Sequence, residues 1–163
     1  GFTKEQYNNI YVGKSIVDPL VKDGYVIFIV EDNNKKCIGW LARSIKEKEE
    51  IALINKRKNK DEKEYLRWIN SYDTDFGKML GGQNELIKGK TKTVIIVEGY
   101  TSKCNIDRLL NLYSDENIKC VCSFGKKLSD EQILILKYFE INTIILLYDS
   151  DAIKESKICF FKT

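Results

Sequence analysis

The sequence predicts an α/β protein: a parallel sheet flanked by helices in its C-terminal part, preceded by a smaller mixed α+β region. Three observations carry that reading. From residue 93 onward, three short strand-like runs, TVIIV (93–97), IKCVC (118–122) and TIILLY (143–148), alternate with two helix-like stretches. That order implies right-handed crossovers and parallel strands. The first and last of these runs are apolar throughout, as strands covered on both faces are. Before residue 93 the texture differs. YVIFIVE (25–31) and CIGWLARSI (37–45) flank the turn formers Asp32, Asn33 and Asn34, the pattern of a hairpin.

On this reading the chain has two parts, residues 1–92 and residues 93–163. In the first part, residues 46–64 are highly charged and read either as a solvated helix or as an insertion. YLRWIN (65–70) reads as a strand, and residues 71–92 as short helical pieces punctuated by Gly81, Gly82 and Gly89. In the second part, Ile106, Leu109, Leu110 and Tyr113 fall at i, i+3, i+4 and i+7 and predict a helix with that stripe buried. Ser102 is available to cap it. Ser129 and Gln132 have capping-box spacing, with Asp130 and Glu131 at the positive helix start, and open a further helix.

Composition narrows the chemistry. The chain has 163 residues, 43% of them hydrophobic, enough for a packed core. No apolar run approaches the roughly 18 residues that cross a bilayer, and no signal peptide is evident, so no membrane partner and a cytoplasmic location are expected. Histidine is absent, which removes Ser-His-Asp and Cys-His nucleophiles. Five irregularly spaced cysteines without a C-x-x-C pair suit neither a disulfide framework nor structural zinc. Residues 1–92 carry 18 Lys/Arg against 14 Asp/Glu, and residues 93–163 carry 9 against 10. The basic excess therefore lies in the first part. Its densest run, Lys56, Arg57, Lys58 and Lys60, is either a solvated face or an edge that meets phosphates.

Acidic residues mark the ends of two predicted strands: Glu98 after the first, Asp149 and Asp151 after the third. In open α/β sheets ligands bind beyond the carboxyl ends of the strands. Residues i and i+2 of an extended chain point the same way, so the two aspartates can aim at one place, and Glu98 can join them if the strands are neighbours. Three carboxylates in one place repel unless a cation neutralises them. Oxygen-only ligands suit Mg²⁺ or Mn²⁺, ions that also bind phosphate oxygens.

VIIVEGY (94–100) and LLYDSDA (146–152) resemble the two motifs of the Toprim domain, and CSFGKKLSDEQ (122–132) resembles the primase stretch that joins them. DGYVIFIVEDNNKKCIGWLARSI (23–45) and RWINSYDTDFGKMLGGQNEL (67–86) resemble the segments that precede Toprim in primases. The resemblance implies a DNA primase catalytic core with an incomplete Toprim domain at residues 93–163. It implies metal-dependent nucleotidyl transfer, making short RNA primers on a single-stranded DNA template from nucleoside triphosphates. Glu98, Asp149 and Asp151 would be the catalytic and metal-holding residues. Arg43, Arg67, Asn70 and Lys78 would bind nucleic acid or nucleotide. A replicative helicase would be a further partner, through regions beyond this chain. Trp68 reads either as a base-stacking platform or, by default, as a core residue. Ser102 stands where the family places an aspartate, and Ile153 and Lys154 where it places Ala-Gly. A Toprim nuclease and a non-catalytic fragment that binds single strands are the competing readings.

Overall fold

The computed structural model describes residues 10–13, 21 and 24–148. They divide into two compact units: residues 37–74 with the chain before Glu31, and residues 31–36 with 75–148.

The first unit is a four-stranded sheet in the order β1 (Ile10–Gly13), β2 (Tyr25–Glu31), β3 (Cys37–Ser44) and β4 (Trp68–Asn70). β1 pairs antiparallel with β2, and β4 with β3. β2 and β3 match the predicted hairpin, whereas β1 has no counterpart in the sequence reading. Between β2 and β3, the Asp32 carboxylate accepts from the backbone of Asn34 at 2.8 Å and Lys36 at 2.9 Å. The charged stretch resolves as a helix, α1 (Lys48–Lys56), with Ile51 as its one buried residue. β4 is half the predicted strand. Tyr65 is held outside the ladder by Asn55, which accepts from its N–H at 2.7 Å and donates to its carbonyl at 3.0 Å. Strand alternation sends Ile69 into a core with Val21, Tyr25 and Ala42, and leaves Trp68 and Asn70 exposed.

The second unit is a parallel sheet in the order β6-β5-β7: β5 (Thr93–Val97), β6 (Ile118–Cys122) and β7 (Thr143–Leu146). Helices α2 (Tyr100–Leu110) and α3 (Asp130–Tyr138) supply the crossovers. This is the predicted strand–helix order, but β7 stops at Leu146, short of the predicted run to Tyr148. Among the described residues β7 is an edge strand, with Ile145 46% exposed, rather than one covered on both faces. Val94, Ile96 and Val121 share a core with Leu136 of α3, with Phe139 at its C-cap, and with Leu80 and Leu86. The Ser129 capping box forms as predicted: its hydroxyl accepts from Gln132 N at 3.1 Å, and Gln132 Oε1 accepts from Ser129 N at 3.1 Å.

Three sequence expectations fail in α2. Its buried residues are Tyr100, Lys103 and Asp107, whereas Leu109 and Leu110 are 65% and 55% exposed. The helix also stops at Leu110, with Asn111 in the left-handed region at φ 52°, so Tyr113 lies beyond it. The physical reason is charge pairing. Lys103 can be buried because Glu85 and Asp107 neutralise it at 2.7 and 2.6 Å, and an apolar periodicity cannot reveal that. Nor does Ser102 cap the helix, whose N-cap is Gly99.

Residues 75–92, grouped with the first part by sequence texture, pack with the parallel sheet. Gly81 forms an antiparallel bridge to Cys122, with N–H···O distances of 2.9 Å in both directions. Gly82 has φ 90°, and a Cβ there would stand 2.1 Å from Lys103 Cε, so only glycine fits the turn as built. No helix among the described residues is long and apolar enough to cross a membrane.

Candidate functional site

Parallel pairing sets the carboxyl ends of β5, β6 and β7 side by side, with β5 central. Val97 lies opposite Cys122, and Ile96 opposite Leu146. Each strand then hands its chain to the same rim. Glu98 follows β5 and is half-buried. Ser123 follows β6, and its N–H donates to Val97 O at 3.0 Å. Leu147 N donates to Ile96 O at 2.8 Å, which continues the register past β7. Tyr148 comes next, and its hydroxyl donates to Ser123 Oγ at 3.1 Å. Burial raises the Tyr148 phenol above its usual range; the bond to Ser123 opposes that, and the charge of Glu98 adds to it. Among the described residues, the rim is thus a short row of polar groups following three neighbouring strands, with Glu98 as its carboxylate.

Asp149 and Asp151, expected to complete the trio, lie outside the described residues. Among the described residues no three His, Cys, Asp or Glu side chains gather to hold a metal. The chemistry of the rim still fits a hard cation. It offers a carboxylate and hydroxyl oxygens, and the thiol of Cys122, the last residue of β6, is buried and pushed far from ionisation by that burial.

Lys78 belongs to the same unit. It ends a 3-10 turn, Phe76–Lys78, capped by Asp75, whose carboxylate accepts from Gly77 N at 3.0 Å. Its ammonium is exposed, 3.3 Å from the other Asp75 oxygen. Two features near this turn have no signal in the sequence pattern. Phe124 takes φ 58°, an uncommon conformation for a bulky residue. Its ring lies 4.7 Å from Phe76 and 6.5 Å from Tyr100, centroid to centroid. Gln132, legible only as a capping residue, also donates to backbone carbonyls of three distant residues.

Arg43, Arg67 and Asn70 lie in the other unit. Arg43 is paired with Trp68 across β3 and β4, and its guanidinium sits 5.4 Å from the indole centroid. Asn70, two residues on, shares that face of β4. Trp68 is 37% exposed and stands outside the core cluster, so its default reading as a core residue gives way to a half-exposed ring stacked under a cation. Arg67 is exposed, just ahead of β4, and its carbonyl accepts from Ser44 N at 3.0 Å. The structure therefore brings Arg43, Trp68 and Asn70 together, and places Glu98 and Lys78 in one unit.

Neither any protein-family profile nor any curated protein matches the sequence. Solved structures do match the fold. The primase fragment of the bacteriophage T7 primase-helicase protein aligns with a TM-score of 0.59 at 17% identity, over 96% of this chain and 56% of its own. The Aquifex aeolicus primase, comprising zinc-binding and RNA polymerase domains, aligns at 0.55 and 24%, over 93% and 34%. A DnaG primase catalytic domain bound to single-stranded DNA aligns at 0.54 and 18%, over 90% and 40%. The chain spans between about a third and just over half the length of these proteins. Its fold is that of a Toprim-type primase catalytic core, as the motif resemblance led one to expect.

Proposed function

We propose that this chain is the catalytic core of a DNA primase, joining nucleoside triphosphates into short RNA primers on single-stranded DNA. The observation that carries the reading is the position of Glu98. It stands at the carboxyl end of β5, which lies between β6 and β7, in a fold shared with primase cores. Glu98, Asp149 and Asp151 would hold Mg²⁺ or Mn²⁺, which when bound activates a 3′-hydroxyl and neutralises charge on the phosphate under attack. The Tyr148 hydroxyl bonds Ser123 Oγ and so ties the chain after β7 to the chain after β6, at the rim that carries Glu98. Lys78, Arg43 and Arg67 supply cations for template phosphates or the triphosphate, and Asn70 a hydrogen-bonding amide. Trp68 offers a face on which a base can stack. A single strand as partner is supported by the matched catalytic domain bound to one, and a helicase by the matched primase-helicase. A cytoplasmic setting goes with that role.

The test is incorporation of labelled ribonucleotides on a single-stranded template with Mg²⁺ or Mn²⁺. Glu98→Gln keeps shape and removes the charge. It is expected to lower incorporation at least about 100-fold, the scale of losing one preorganised electrostatic group. Metal-dependent cleavage of the template without any incorporation would replace the reading with a nuclease. Salt-sensitive binding that ignores metal, with no turnover, would leave only a binding fragment.

A further inference from the structure

We infer that Gln132, together with Ser129, is a positioning residue for Lys78, an inference that rests on the reading of Lys78 as a phosphate contact. Gln132 is 1% exposed and sits in the first turn of α3. The two hydrogens of its amide nitrogen are directed at Met79 O at 2.8 Å and Ser123 O at 2.8 Å, with Phe76 O at 3.3 Å as a longer, shared acceptor. Ser129 Oγ donates to Gly77 O. The carbonyls of Phe76, Gly77 and Met79 flank Lys78 in the chain, so the peptides around it end on two side chains at one helix start. The third acceptor on Gln132, Ser123, is bonded to Val97, the residue before Glu98.

The amide therefore spans from the lysine's turn to the rim that carries Glu98. A 3-10 turn of three residues has little stability of its own. Inside the turn, the anchors are Lys78 N on Asp75 O at 3.0 Å and the Asp75 cap on Gly77. Its place relative to the sheet is set from outside: by the Phe76 ring against Phe124, and by Gln132 and Ser129. An apolar side chain at 132 would fill the space and leave buried carbonyls unpaired, so the turn would shift toward water to satisfy them.

A double-mutant cycle on the full chain separates positioning from general stability. Binding of a fluorescent single-stranded oligonucleotide is measured over a range of salt for wild type, Lys78→Ala, Gln132→Met and the pair. Lys78→Ala is expected to weaken binding several-fold and to reduce the salt slope by about 0.7, the effect of one phosphate contact on a single strand. Gln132→Met is expected to reproduce both changes, and the double variant to bind within about twofold of either single variant, as coupled sites do. Ser129→Ala, which removes the bond to Gly77 and one helix cap, carries the same cycle if Gln132→Met does not fold. Wild-type binding by the Gln132 and Ser129 variants beside a weakened Lys78→Ala, or additive losses, would overturn the inference alone. Wild-type binding by Lys78→Ala would remove the phosphate role of Lys78 and the inference with it.

Discussion

At Lys103 the ammonium lies between Glu85 and Asp107, with its side chain 3% exposed and the Tyr100 ring 5.9 Å away. Burial pulls its pKa down, but the charges of Glu85 and Asp107 outweigh that and hold it well above the usual 10.5. Asp107 pays for this in the other direction. Burial raises its pKa while Lys103 lowers it, and one of its oxygens has no hydrogen-bond partner among the described residues. Removing the cation would strand two carboxylates, one of them buried. Lys103→Met is therefore expected to lose about 3–5 kcal/mol in urea unfolding, with Lys103→Met/Asp107→Leu recovering a good part. A raised folded-state pKa means the ammonium's contribution is complete below 10.5 and lost as pH climbs through the raised value. The gap between wild type and Lys103→Met should thus stay level through neutral pH and close in strong alkali. None of this was legible in the sequence. Lys103 and Asp107 look like ordinary surface charges at i and i+4, and their third partner, Glu85, is 18 residues away. Glu98, by contrast, was legible as a single residue, because it ends an apolar run followed by glycine.

Among the elements, β5 and β6 match their predicted residues, β5 as a strand without a solvated face and β6 although its run includes Lys119, whose buried ammonium is satisfied by the carbonyls of Leu112 and Tyr113. Helix α2 was located but turned the wrong way. An apolar stripe locates the buried face only where charged residues face water, and in α2 the ion triad of Lys103, Asp107 and Glu85 buries the charged face instead. The consequence can be measured. Leu109 is 65% exposed, so Leu109→Gln should change unfolding free energy by no more than about 0.5 kcal/mol. A residue truly on the buried face would lose several times that. β4 shows the opposite case. Its alternation of exposed Trp68, buried Ile69 and exposed Asn70 is present in the sequence, yet a tryptophan reads as core until the strand's facing is known.

For the whole molecule, the candidate binding residues are shared between two units, Arg43, Arg67 and Asn70 in one and Lys78 with Glu98 in the other. If both arginines meet phosphates, Arg43→Ala/Arg67→Ala should reduce the salt slope of single-strand binding by about 1.4, two contacts' worth. Fluorescence anisotropy across a salt series measures it, and an unchanged slope would assign the arginines to the sheet alone. The boundary of the units shows how far pattern reading reaches. A change of texture at residue 93 was visible in the sequence. That residues 75–92 pack with the parallel sheet was not, because it depends on Gly81 bonding to Cys122 and on Leu80 and Leu86 entering a core built from residues far along the chain. By itself the sequence determined the α/β class, the strands of the parallel sheet, the α3 cap and the glutamate at the end of β5, all set by local periodicity, capping and turn chemistry. Only the tertiary structure decided which face of α2 is buried, what Gln132 and Lys103 hold, and which residues join Arg43 on one face, since those depend on partners that meet only when the chain is folded.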